Sequence, residues 1–102
     1  MYAVTRAVWQ ARGRAGRFRR MRLTPEGCRA GRALLKWSTR DLARRAGVAF
    51  TTVNRIEAGQ LPRASTKGRL LAAFASAGVT ILTGPEGVGA VLATEIAFEE
   101  WS

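Results

Sequence analysis

Histidine is missing from this 102-residue chain, and cysteine occurs once, at Cys28. Without an imidazole there is no ready general base near neutral pH and no obvious metal site. A lone thiol excludes an internal disulfide and fits a reducing compartment such as the cytoplasm. Cys28 is expected to serve as a small apolar residue on the first helix, a reactive thiol being the alternative. Acids are scarce, seven against seventeen lysines and arginines. They are scattered and form no recognisable catalytic pair, and neither a nucleophile elbow nor a phosphate loop occurs. These absences argue against an enzyme, so no catalytic residue, metal ligand or cofactor is assigned. No apolar run reaches the roughly 18 residues that suggest a membrane span. The length admits one small domain and no second.

Positive charge is what the chain has in excess. The formal net charge is +10, which points to a polyanionic partner, most simply nucleic acid. The excess is uneven. Residues 1–20 hold six arginines (Arg6, Arg12, Arg14, Arg17, Arg19, Arg20) and no acid, whereas eleven cations and seven acids follow. Gly13 and Gly16 among these arginines oppose a helix there. Residues 1–22 are therefore expected to be a basic, disordered extension. Three readings of it stay open: an arm that follows phosphates or enters a minor groove, an amphipathic targeting sequence, or an upstream extension preceding a natural start at Met21.

The organising stretch is Thr39–Ala58, TRDLARRAGVAFTTVNRIEA. Leu42, Ala43, Ala46, Val48, Val53 and Ile56 recur at helical spacing and point to one interior. Gly47 supplies a left-handed turn between two short helices, and Ala43 is small enough for them to cross closely. Ser38 with Asp41 makes a capping box opening the second helix, and Trp37 with Leu42 has the spacing of a hydrophobic staple. The third helix spans Phe50–Glu57, where Ala49 is a poor N-cap that costs about 1 kcal/mol. Thr51 and Thr52 are alternative caps of a shorter helix.

Around this stretch, a first helix is expected from Pro25 to Lys36, capped by Thr24, with Ala30, Leu34 and Leu35 facing inward. Gly27 and Gly31 weaken it by about 1 kcal/mol each unless a neighbouring helix approaches closely. Ser65 is expected to cap a fourth helix, Thr66–Ala77, with Leu70, Leu71, Phe74 and Ala77 as its apolar stripe. Val79–Leu82 and Val88–Leu92 flank a turn-rich segment and read as a β-hairpin, 79–92, that must pack on the helices or pair with another chain. Residues 93–102 read as an acidic amphipathic tail.

Two helices joined by a tight turn, with the second presenting polar groups outward, form a helix-turn-helix. Leu42, Ala43, Gly47, Val48, Val53, Ile56, Glu57 and Gly59 carry a resemblance to Cro/C1-type (Xre family) helix-turn-helix domains, covering about Leu23 to Leu82. That class contains phage repressors and many small bacterial regulators. The expected fold is mainly α: a compact four-helix repressor-like domain over 23–78, then the hairpin as a dimerisation element. A helix of this length fits the major groove. The outward candidates for base contact are Phe50, Thr51, Thr52, Asn54 and Arg55, with Arg55 best suited to a guanine and Phe50 either touching thymine methyls or folding back on the core. Lys36, Arg40, Arg44 and Arg63 flank this helix as phosphate contacts or as solvated surface charges. The resemblance implies a phosphate contact from Thr39, where the family usually has glutamine, and a structural pair between Arg32 and Glu57.

The leading reading is a dimeric, sequence-specific double-stranded DNA regulator, most simply a repressor. Its rivals are a protein-interaction module of the antitoxin type with a toxin or other protein partner, and a non-specific nucleic-acid binder acting through the basic arm.

Overall fold

In the computed structural model, residues 22–93 are described; the basic extension up to residue 21 and the tail 94–102 lie outside them. Four helices precede one hairpin: α1 (Pro25–Leu35), α2 (Thr39–Ala46), α3 (Phe50–Glu57), α4 (Ala64–Ser76), β1 (Val79–Gly84) and β2 (Gly87–Leu92). This is the expected four-helix domain with its C-terminal antiparallel hairpin.

Local chemistry explains most boundaries. Thr24 accepts from the Gly27 N–H at 2.9 Å, Pro25 occupies the first turn, and Glu26 complements the helix dipole. α1 closes at Lys36, which takes a left-handed conformation (φ 57°), while the Trp37 N–H reaches back to the Arg32 carbonyl. Both bonds of the Ser38–Asp41 capping box form, at 2.9 and 3.0 Å. Gly47 (φ 73°) ends α2.

One cap differs from expectation and one keeps to it. α3 spans Phe50–Glu57 as expected and does not shorten to start from Thr51 or Thr52. Ala49 is its N-cap without any side-chain bond, and its carbonyl already accepts from the Thr52 N–H at 3.0 Å. Ser65, in contrast, does not cap α4. The Arg63 carbonyl accepts from Lys67 at 2.9 Å, so the helix starts at Ala64 and takes Ser65 into its first turn.

The core joins Leu23, Cys28, Leu42, Ala43, Ala46, Val53, Ile56, Leu70, Ala73, Phe74, Val79 and Ile81. The inward face of α1 is not the one expected: Gly27, Cys28 and Gly31 are buried, Leu35 packs at the margin, and Leu34 is 42% exposed. Missing side chains on that face let other elements come close. A Cβ on Gly31 would lie 2.7 Å from Phe74 Cε1 of α4. One on Gly27 would lie 2.7 Å from Ile81 Cγ2, so for this glycine the close neighbour is a strand and not a helix. β1 and β2 pair in the register Val79↔Leu92 through Gly84↔Gly87, and the hairpin packs Val79, Ile81, Ala90 and Leu92 against the helical core.

Candidate nucleic-acid interface

α2 and α3 are locked by their shared interior. Leu42, Ala43 and Ala46 from α2 and Val53 and Ile56 from α3 are buried, with Val48 of the turn packed at the edge. Two contacts beyond this apolar frame hold the unit on α4. Arg69 Nη1 donates to the Gly47 carbonyl at 3.2 Å, pinning the turn between the helices. Trp37 stacks on Phe74 with ring centroids 6.1 Å apart, and the Arg45 guanidinium covers Trp37 at 4.9 Å. Trp37 is therefore a structural residue.

The C-terminal end of α3 is fixed by ion pairing. Arg32 Nε and Nη2 donate to the two Glu57 carboxylate oxygens at 2.7 Å each, and Arg32 Nη1 donates to the Trp37 carbonyl at 3.0 Å. The expected Arg32–Glu57 pair is thus present. Cys28 Sγ also donates to Glu57 Oε2 at 3.2 Å. Burial, then the bond to the carboxylate, pushes the thiol pKa up, so Cys28 is held as the neutral thiol. At the other end of the unit, the Ser38 N–H and hydroxyl, then Arg44, hold the Asp41 carboxyl below its ordinary range.

With the C-terminal end of α3 tied to α1 through Glu57 and the turn before it pinned by Arg69, its outward residues are set. Thr51, Asn54 and Arg55 are exposed together on one side, and Thr52 is half-buried. Phe50 is half-buried against the core, with the Arg40 guanidinium carbon 3.9 Å from its ring centroid. Lys36, Arg40, Arg44 and Arg63 are exposed and Thr39 is half-buried. Arg44 is engaged by Asp41 Oδ1 at 2.7 Å. The side chains of Lys36, Arg40, Arg55 and Arg63 have no hydrogen-bond or ion-pair partner among the described residues. Between residues 22 and 93 there are eleven lysines and arginines and four acids. Two of those acids, Asp41 and Glu57, are turned to internal bonds, so the surface beside α3 is left cationic.

Residues 29–77 match the family model described as helix-turn-helix. They are a Cro/C1-type helix-turn-helix domain of the Xre family. The matched segment runs from within α1 to the end of α4, and so contains the whole α2–turn–α3 unit and both of its anchors. No curated protein matches the chain. Cro/C1-type domains are DNA-binding modules of transcription regulation and form a regulatory, non-enzymatic family. Among the described residues no group of three or more metal-ligating side chains occurs, and no helix is long and apolar enough to cross a membrane.

Sequence reasoning missed Arg69, Arg45 and the Cys28–Glu57 bond. Each depends on which elements lie side by side, and an arginine on a helix surface gives no sign in the sequence that its target is a carbonyl 22 residues away.

Proposed function

We propose that the chain is a sequence-specific regulator that binds double-stranded DNA as a homodimer and acts as a repressor in the cytoplasm, with α3 in the major groove. The observation that carries this reading is the exposure of Thr51, Asn54 and Arg55 on one side of α3, flanked by Lys36, Arg40 and Arg63, whose side chains have no hydrogen-bond or ion-pair partner among the described residues. Arg55 presents a planar two-donor edge suited to guanine O6 and N7, and Asn54 can pair with adenine. Thr51 and Thr52 offer methyls and hydroxyls. Lys36, Arg40, Arg44 and Arg63 supply phosphate contacts that set the register without reading sequence. Thr39, at the first position of α2, has a short side chain, and its contact would run through the helix N-terminus as much as the hydroxyl.

One eight-residue helix reads few base pairs. Two half-sites about one helical turn apart would give useful specificity, which is why a homodimer belongs to the proposal. The deciding experiment is selection of the full chain on a random duplex pool at near-physiological salt. Enrichment of one palindromic motif supports the dimeric reader. Retention with no motif and a steep salt dependence would instead assign binding to the arginines of residues 1–20. Failure to retain any duplex would sink DNA reading and favour the protein-interaction alternative, with a toxin-type partner.

A further inference from the structure

Arg40 and Phe50 form a pair that neither core packing nor charge balance requires. Arg40 lies in the first turn of α2 and Phe50 opens α3. The guanidinium carbon sits 3.9 Å from the ring centroid, well within cation–π range. Phe50 is half-buried and packs against the core, so core and guanidinium together leave only part of the ring in solvent. Arg40 is exposed and otherwise unpartnered among the described residues. The contact is made through the guanidinium carbon over the ring and uses none of the Arg40 N–H donors.

We propose that Arg40 and Phe50 act as one reading unit: the guanidinium grips a backbone phosphate while the open part of the ring contacts the C5-methyl of a pyrimidine. The site would thereby select thymine, or 5-methylcytosine, over the unmethylated base. This inference rests on the DNA-binding reading above. Its chemistry is restrictive. Phenyl can neither donate nor accept a conventional hydrogen bond, and the methyl at pyrimidine C5 is the apolar feature of the major-groove edge. Burying one methyl there corresponds to about fourfold in Kd. The stack also removes rotamer freedom from Arg40 before DNA arrives, so less is lost when the phosphate contact forms.

The test uses the full chain and the duplex recovered from the pool. Each thymine is replaced singly by deoxyuridine, and binding is followed by fluorescence anisotropy. One thymine per half-site is expected to lose about fourfold, and cytosine placed at that position is expected to regain affinity when 5-methylated. In Phe50→Ala the methyl sensitivity at that position should vanish. Arg40→Gln should weaken binding to every duplex and flatten its salt dependence. It should also cost less in a Phe50→Leu background, which keeps apolar bulk but removes the π face. Specific binding with no methyl-sensitive position overturns the inference while leaving DNA reading intact. Sensitivity that persists in Phe50→Ala, or an Arg40→Gln loss equal in both backgrounds, overturns it too. Absence of any duplex binding overturns both readings.

Discussion

Arg32 and Glu57 stand 25 residues apart in the sequence and meet through two N–H···O bonds of 2.7 Å, a bidentate pair that ties α1 to the last residue of α3. The Glu57 side chain is only 9% exposed, so water cannot replace a lost partner fully. Glu57→Ala strands a shielded guanidinium and is expected to destabilise the domain by about 2–3 kcal/mol. Glu57→Gln should cost less, because its amide oxygen still accepts one bond. Arg32→Ala should cost at least as much as Glu57→Ala, since the Trp37 carbonyl loses its donor as well. Urea midpoints read all three. A Glu57→Ala midpoint equal to wild type would show that the pair holds nothing.

Glycine substitutions in two helices should move stability in opposite directions. In a solvent-facing helix, Gly→Ala commonly adds about 0.5–1 kcal/mol. Gly68 in α4 has nothing within 4 Å of an added Cβ and should follow that rule. Gly31 in α1 should not, because its Cβ would lie 2.7 Å from the Phe74 ring and 3.1 Å from Ile81 Cδ1. Overpacking there is expected to cost about 1–3 kcal/mol. The two single variants, compared by thermal unfolding, must differ in sign. Equal shifts would contradict the packing described for α1.

Cys28 gives a pH dependence on the alkaline side. Its thiol pKa is raised in the folded state by burial and by the bond to Glu57, while the unfolded chain has an ordinary thiol. A raised folded pKa means the contribution is complete below the unfolded value and declines as pH rises above it. Above about pH 9, wild type should lose up to about 1.4 kcal/mol per pH unit relative to Cys28→Ala. Between about pH 6 and 8 their difference should be constant. Paired urea titrations across pH 7–10.5 measure this directly, and parallel curves throughout would mean the thiol is not shielded.

Legibility in the sequence followed the range of the interaction. Ser38–Asp41, Thr24, Pro25 and Gly47 act within three or four residues, so the start of α2 and the turn could be read directly. The apolar frame from Leu42 to Ile56 was also legible, because periodicity records which side of a helix faces inward. The inner face of α1 was not. Periodicity weights large apolar residues, and Leu34 outweighs glycine on any such scale, yet Gly27 and Gly31 face the core because Ile81 and Phe74 fill the space their side chains leave. The cap of α4 was misplaced for a related reason. Ser65 has the right side chain, but the backbone turn begins one residue sooner, and a carbonyl at Arg63 leaves no trace in residue type. At the interface, residue types nominated Phe50, Thr51, Thr52, Asn54 and Arg55 as an outward set; Thr51, Asn54 and Arg55 are exposed, and Phe50 and Thr52 are half-buried. That Phe50 is shared between the core and Arg40 depends on how α2 and α3 cross, which spacing alone does not encode.

Arg55 and Arg63 offer the sharpest separation of sequence reading from backbone grip. Both are exposed arginines whose side chains have no hydrogen-bond or ion-pair partner among the described residues, so charge alone would treat them alike. Their positions differ: Arg55 projects from α3 beside Asn54 and Thr51, whereas Arg63 lies at the N-cap of α4, outside the reading helix. A bidentate contact from Arg55 to guanine is worth about 1–3 kcal/mol of discrimination. Arg55→Ala should therefore weaken the selected duplex about 5- to 150-fold and relax preference at one position per half-site. Arg63→Ala should weaken all duplexes evenly, keep the preference, and lower the salt slope by about 0.9 per phosphate contact released. Repeating the pool selection with each variant distinguishes them. An unchanged motif with Arg55→Ala would remove Arg55 from the base-reading set, while an altered motif with Arg63→Ala would move the reading surface toward α4.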